Sequence, residues 1–119
     1  MNEALERAIT LFVRKEKQER MRALEKRRGD LRDAMLHDRR ALDPAVLQPC
    51  PNDPVAVVTA MQKLGAGKTA FVFADDDAVL PLAEAVSTVF GRQRDSLVVS
   101  NEVAFYENHE GERFLLKRR

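Results

Sequence analysis

The chain has 119 residues, 45% hydrophobic and 33% charged, with a net charge of +1 and a single cysteine. That is one ordinary domain with enough apolar residues for a core. It excludes wholesale disorder, an internal disulfide and any multi-cysteine metal site.

No apolar run approaches the roughly 20 residues of a membrane span. Glu3 and Glu6 stand where a secretion signal would place a basic start and an apolar stretch, so a cytoplasmic protein without membrane attachment is expected. The charge is uneven. Residues 1–40 carry 12 Lys/Arg against 8 Asp/Glu, a balance of +4, and residues 41–119 carry 8 against 11, a balance of −3.

From Glu3 to Arg28 good helix formers follow one another without a breaker. Leu5, Ala8, Ile9 and Phe12 form an apolar stripe at helical spacing, the stretch Arg14–Arg20 is polar, and apolar positions resume at Met21, Leu24, Leu31 and Met35. Gly29-Asp30 is the expected break, with Asp30 capping a second short helix to about Arg40. A helix over 3–28 would be about 39 Å long at 1.5 Å per residue. The remaining body should be only about 30 Å across. Such a helix projects, wraps around the body, or pairs with another subunit.

Residues 43–54 form a proline-rich connector, in which Asp53-Pro54 starts a helix with a side-chain cap and a proline at the first position. Val57, Val58, Met61 and Leu64 mark its inner face, and Gly65 ends it. Thr69–Ala74 reads as a buried strand. Asp75-Asp76-Asp77 closes that strand. Pro81 opens a helix bearing Leu82, Ala83, Val86, Val89 and Phe90, which Gly91 ends. Ser96–Ser100, Val103–Glu107 and Arg113–Lys117 are three strands joined by hairpin-length gaps.

The expected fold class is α+β. A long N-terminal helix, broken near Gly29, and two further helices pack on one face of a small four-stranded mixed sheet with a β-α-β-β-β body. The expected organisation is a charged helical arm (1–40), a connector (41–53) and a compact α/β body (54–119), one domain overall. With so few helices, one sheet face would stay uncovered.

Asp75, Asp76 and Asp77 are the candidate metal residues, because adjacent carboxylates at the carboxyl end of a strand can hold Mg²⁺. Asp75-Asp76 is similar to the acidic pair of response-regulator receiver domains, and Asp75-x-Asp77 to haloacid-dehalogenase-type phosphatases. Both comparisons fail. Too little chain follows Asp77 for either fold, and Val79 stands where the phosphatases have threonine. The plainer reading is a solvated loop whose last aspartate caps the next helix.

Gly65-Ala-Gly67-Lys68-Thr69 looks like the end of a phosphate loop. Gln62 occupies the position of the required first glycine, and the string follows a helix and opens a strand, which is the reverse of the element order phosphate binding needs. It reads as a helix stop. Arg28-Gly29-Asp30, an adhesion tripeptide in secreted proteins, reads as a helix break. Cys50, between Pro49 and Pro51, has no activating base nearby in sequence and reads as structural. His37 and His109 are too far apart for a metal pair on spacing alone and read as surface residues. No catalytic residue and no cofactor is implied.

Arg14, Lys15, Arg22, Lys26, Arg32 and Arg40 could line a phosphate track. Interleaved acids, the i,i+4 pairs Glu3–Arg7 and Glu16–Arg20, and the lack of aromatics among these bases argue instead for a solvated face. The leading expectation is a non-enzymatic protein-interaction or regulatory module acting as a homodimer or on another protein. It rests on the missing catalytic constellation, the long helix and the uncovered sheet face. The alternatives are Mg²⁺-dependent phosphate chemistry at Asp75–Asp77 and nucleic-acid binding through the N-terminal arm.

Overall fold

The computed structural model describes residues 2–118. The helical N-terminal region is three helices, α1 (Glu3–Phe12), α2 (Lys15–Ala23) and α3 (Arg28–Leu36), not one long one. The first break falls at Val13-Arg14, where no glycine or proline stands. Val13 is extended and bridges Leu42, Arg14 N–H donates to Ala41 O, and Asp43 N–H donates to Phe12 O. Tertiary backbone hydrogen bonds thus replace the intrahelical ones that the turn gives up.

The second break spans Leu24–Arg27, ahead of Gly29. Gly29 sits in the first turn of α3, and Asp30 pairs with Arg27 rather than capping the helix. The apolar stripe explains the folding-back. It ends at Phe12, and a straight continuation would carry the polar α2 across the sheet. Instead only Met21 of α2 is buried, and Arg22 bonds Glu6 at 2.7 Å and Thr10 at 3.0 Å on α1. The molecule measures 35 × 29 × 27 Å, so no 39 Å helix projects from it.

The connector forms two 3-10 turns, Arg39–Ala41 and Pro44–Val46, and a two-residue strand β1 (Leu47–Gln48). Helix α4 (Pro54–Lys63) follows, with Asp53 accepting Ala56 N–H at 2.9 Å and Gly65 beyond its end at φ +108°. Then come β2 (Thr69–Phe73), β3 (Ala78–Pro81), α5 (Leu82–Val89), β4 (Ser96–Ser100), β5 (Val103–Glu107) and β6 (Arg113–Lys117). Among the described residues the sheet has six strands, in order β1-β6-β5-β4-β2-β3, and every pairing is antiparallel.

The expected four-stranded mixed sheet is therefore corrected, while the α+β class holds. The reason is β3. It turns the chain back before α5, so the chain enters β4 antiparallel to β2, and the crossover through α5 joins β3 to β4, which run parallel on either side of β2.

The expectation of an uncovered face is also corrected. Phe71, Phe73, Leu97, Val99, Ala104, Tyr106 and Leu116 face α1–α3. Ala70, Val72, Val98, Val103, Phe105 and Leu115 face α4 and α5. The sheet is the middle of three layers. The sequence carried this signal: Leu97-Val98-Val99 and Val103–Tyr106 are continuous apolar runs, as strands buried on both faces require. No described helix is long and apolar enough to cross a membrane.

Candidate functional site

The three aspartates form the turn between β2 and β3. Arg28 Nη2 donates to Ala74 O at 2.6 Å and pairs with the Asp77 carboxylate, and its guanidinium lies 4.8 Å from the Phe73 ring centre. Arg32 Nη1 reaches Asp75 Oδ1 at 2.7 Å, and Arg94 Nη1 reaches Asp75 Oδ2 at 2.6 Å. The hydrogen bond from Arg32 is the main reason the Asp75 carboxyl is held below its usual range, with the Arg94 charge adding to it. Asp77 correspondingly raises Arg28.

Helix α3 thus projects two arginines one turn apart onto the hairpin turn. The cations that neutralise Asp75 and Asp77 here are guanidinium groups, and a Mg²⁺ ion would have to displace them. Nor does Asp77 cap α5, because β3 intervenes and Pro81 holds the cap position without a side-chain bond. Asp76 is exposed and makes no hydrogen bond or ion pair with the described residues. Beside this turn an open cleft of about 410 Å³ is lined by Ala78, Leu80, Thr88, Val89, Arg92 and Ser96.

Strand β3 is the edge of the sheet, paired only to β2. Its register sets Phe71 opposite Val79 and Thr69 opposite Pro81. Leu82 N–H donates to Lys68 O at 2.9 Å, which makes Lys68 and Leu82 a hydrogen-bonded pair. Antiparallel pairs alternate, so the Phe71/Val79 pair is not hydrogen-bonded and Val79 turns its own N–H and C=O away from β2. The Val79 side chain is 69% exposed. It and Val55 are the exposed large hydrophobics among the described residues.

The phosphate-loop-like string does run from a helix end to a strand start. Its polar groups are taken up internally. Gly67 N–H donates to Ser100 Oγ at 2.9 Å, Ser100 Oγ donates to Thr69 O at 2.7 Å, and Asn101 Nδ2 donates to Gly65 O at 3.0 Å. A Cβ at Gly67 would stand 3.2 Å from Asn101 Nδ2 and would push that side chain aside by a few tenths of an ångström.

Part of the basic track also bonds its own chain. Arg14 donates to Arg40 O at 2.7 Å, while Arg22 and Arg32 hold Glu6 and Asp75. Cys50 Sγ donates to Pro51 O at 3.3 Å, and burial pushes its thiol up to about 11, so the reactive thiolate is scarce at neutral pH.

Folding brings together two residues that spacing kept apart. The His37 and His109 rings stack with centroids 4.2 Å apart and planes 10° from parallel. Between them Asp95 places Oδ2 at 3.2 Å from His37 Nδ1 and Oδ1 at 3.1 Å from His109 Nδ1. Asp95 Oδ1 also accepts His109 N–H at 2.9 Å, and this carboxylate raises the His109 pKa.

Sequence reasoning missed Glu107, which is fully buried. It accepts Gly91 N–H at 2.8 Å, Gln93 N–H at 2.7 Å and Arg113 Nε–H at 2.6 Å. Its signal was available, since a glutamate two positions after Phe105 continues the inward face of β5 and lies in register with Arg113. No family model, curated protein or solved structure matches this chain.

Proposed function

We propose that this chain is a protein-interaction module that acts as a homodimer, joining two copies edge to edge through β3. The observation that carries the reading is the outward-turned backbone of Val79 beneath an exposed Val79 side chain. An unpaired N–H and C=O on a sheet edge form a template for another strand. Sheets of two copies joined this way become one continuous antiparallel sheet, and a two-fold axis makes the contact self-complementary.

The register follows from the sequence. With Val79 opposite the same residue of the second copy, the two exchange both backbone hydrogen bonds and set their side chains on one face. Asp77 then lies opposite Pro81, and the missing proline N–H costs one bond at each end while Asp77 N–H still meets Pro81 O. Shifting the register by two residues toward Pro81 would place Pro81 opposite Val79 and leave the Val79 C=O without a donor, while Val79 N–H still meets Pro81 O. Charge complements this pairing. The exposed Asp76 precedes β3 in one copy, and in the other the exposed Lys68 flanks the far end, beside Leu82.

Sedimentation over a concentration series tests the reading. The wild-type chain should show a reversible dimer. Val79→Lys, which puts a charge on the edge without touching the core, should weaken it at least tenfold. A wild-type chain that stays monomeric at the highest concentration reached, or a dimer unaffected by Val79→Lys, overturns the proposal.

A further inference from the structure

We propose that His37, Asp95 and His109 form a binding site for a divalent first-row transition-metal ion of the Zn²⁺ type. One donor atom from each of the three residues lies within 4.8 Å of the others. The two measured nitrogen–oxygen separations are 3.2 and 3.1 Å. Zinc bonds nitrogen and carboxylate oxygen at about 2.0–2.1 Å, so adjacent ligands of a tetrahedral ion stand about 3.3 Å apart. The two nitrogen–oxygen separations are already near that spacing, each to a different oxygen of the one carboxylate. The two rings lie stacked, with centroids 4.2 Å apart, so binding requires the exposed imidazoles to turn their Nδ1 atoms toward a common point beside Asp95.

Three further features support a cation here. His37 is the C-terminal cap of α3, where the helix dipole presents its negative end. Asp33 Oδ1 lies 3.5 Å from His37 Nδ1 and adds a negative charge beside it. Glu110 Oε1 lies 3.6 Å from His109 Nε2, on the side of the ring nitrogen that points away from the ion, where metal-bound histidines usually find a carboxylate.

The donor chemistry selects among ions. Two imidazole nitrogens and one carboxylate suit Zn²⁺ and its neighbours, whereas Mg²⁺ demands an oxygen shell. The site is accessible as well. His37 and His109 are exposed, while Asp95 is 15% exposed and held by His109 N–H. An ion can therefore enter from solvent onto a fixed carboxylate and keep an open position for water. A bound ion would tie the end of α3, the loop before β4 and the β5–β6 hairpin to one point.

Titration calorimetry of the full chain with ZnCl2, with MgCl2 as the contrasting ion, tests this. One Zn²⁺ per chain should bind and Mg²⁺ should not. His37→Gln and His109→Gln should each weaken Zn²⁺ at least tenfold, and the double variant should abolish it. Both side chains are exposed, so the variants should keep the native circular dichroism. Co²⁺ should gain the intense visible absorption of a four- or five-coordinate ion in the wild-type chain and lose it in the double variant. No saturable Zn²⁺ binding, or Zn²⁺ affinity in the double variant within tenfold of wild type, overturns the site.

Discussion

Replacing Glu107 by alanine should be among the most damaging single changes on the α4/α5 side of the sheet. The carboxylate accepts three hydrogen bonds, two from backbone amides of the turn that follows α5 and one from Arg113. That turn needs holding, because Gly91 and Gln93 both sit at positive φ, +79° and +56°. Arg113 in turn lies 4.3 Å over the Phe90 ring, and Phe90 stacks on Phe105. Removing one partner of a buried ion pair costs about 3–5 kcal/mol, since the other charge and its donors stay behind unmatched.

Glu107→Gln is the discriminating variant. It keeps the volume but turns an NH2 group toward a donor, so about 2–3 kcal/mol should be lost. Against a total stability of about 5–15 kcal/mol, either change is a large fraction. Urea unfolding followed by circular dichroism measures both. The midpoint should fall with the slope unchanged, and the slope check confirms that the unfolded and folded states have not themselves changed in exposure. A loss below about 1 kcal/mol for Glu107→Ala, within the ordinary range of surface substitutions, would refute the claim that this carboxylate organises the turn.

Two further outcomes follow from the ionisable groups. Burial pushes the Cys50 thiol up to about 11, so its alkylation by iodoacetamide should be slow near neutral pH and accelerate steeply with alkali. A native-state rate equal to that of the urea-unfolded chain at pH 8 would contradict this. Asp75 is held below its usual pKa, first by the Arg32 hydrogen bond, so its folded value lies below the unfolded one near 3.9. The Asp75 contribution to stability is then present above the unfolded pKa and lost as pH falls through the folded one. The stability gap between wild type and Asp75→Asn, read from urea melts, should be present at neutral pH, shrink below about pH 4 and narrow in high salt. A gap that stays constant through that acid range would show that Asp75 acts without its charge.

Legibility in the sequence tracked how locally each element is determined. Helix α4 was readable at both ends because Asp53, Pro54 and Gly65 supply their own cap, start and stop. The strands β4, β5 and β6 were readable because apolar runs alternate with short polar gaps, and their bounds are those expected. The break at Val13-Arg14 was not readable. Nothing there disfavours helix, and the partners that make it possible lie at Ala41–Asp43. The same holds for the acidic turn. Its place at a strand end was legible, but Arg28 and Arg32, whose bonds define what those carboxylates can do, lie more than forty residues away. His37 and Asp95 are likewise joined only by the fold.

The strand β3 shows how one short element decides both architecture and surface. Pro81 looks like a helix start, and α5 does begin at the next residue, so nothing local marks the short run Ala78–Leu80 as a strand. Four residues of extended chain reverse the direction of the chain before α5, so β2 and β4 pair antiparallel and the sheet is not the mixed one expected. They also create the edge. Without β3 the outer strand would be β2, whose Phe71 and Phe73 are core residues. With β3 in place the edge carries one exposed valine, a proline that withholds an N–H, and an aspartate turn clamped from α3. In the proposed pairing Val79 supplies both the outward backbone groups and the exposed side chain at the centre of the contact, which is why substitution of Val79 alone tests the proposed association.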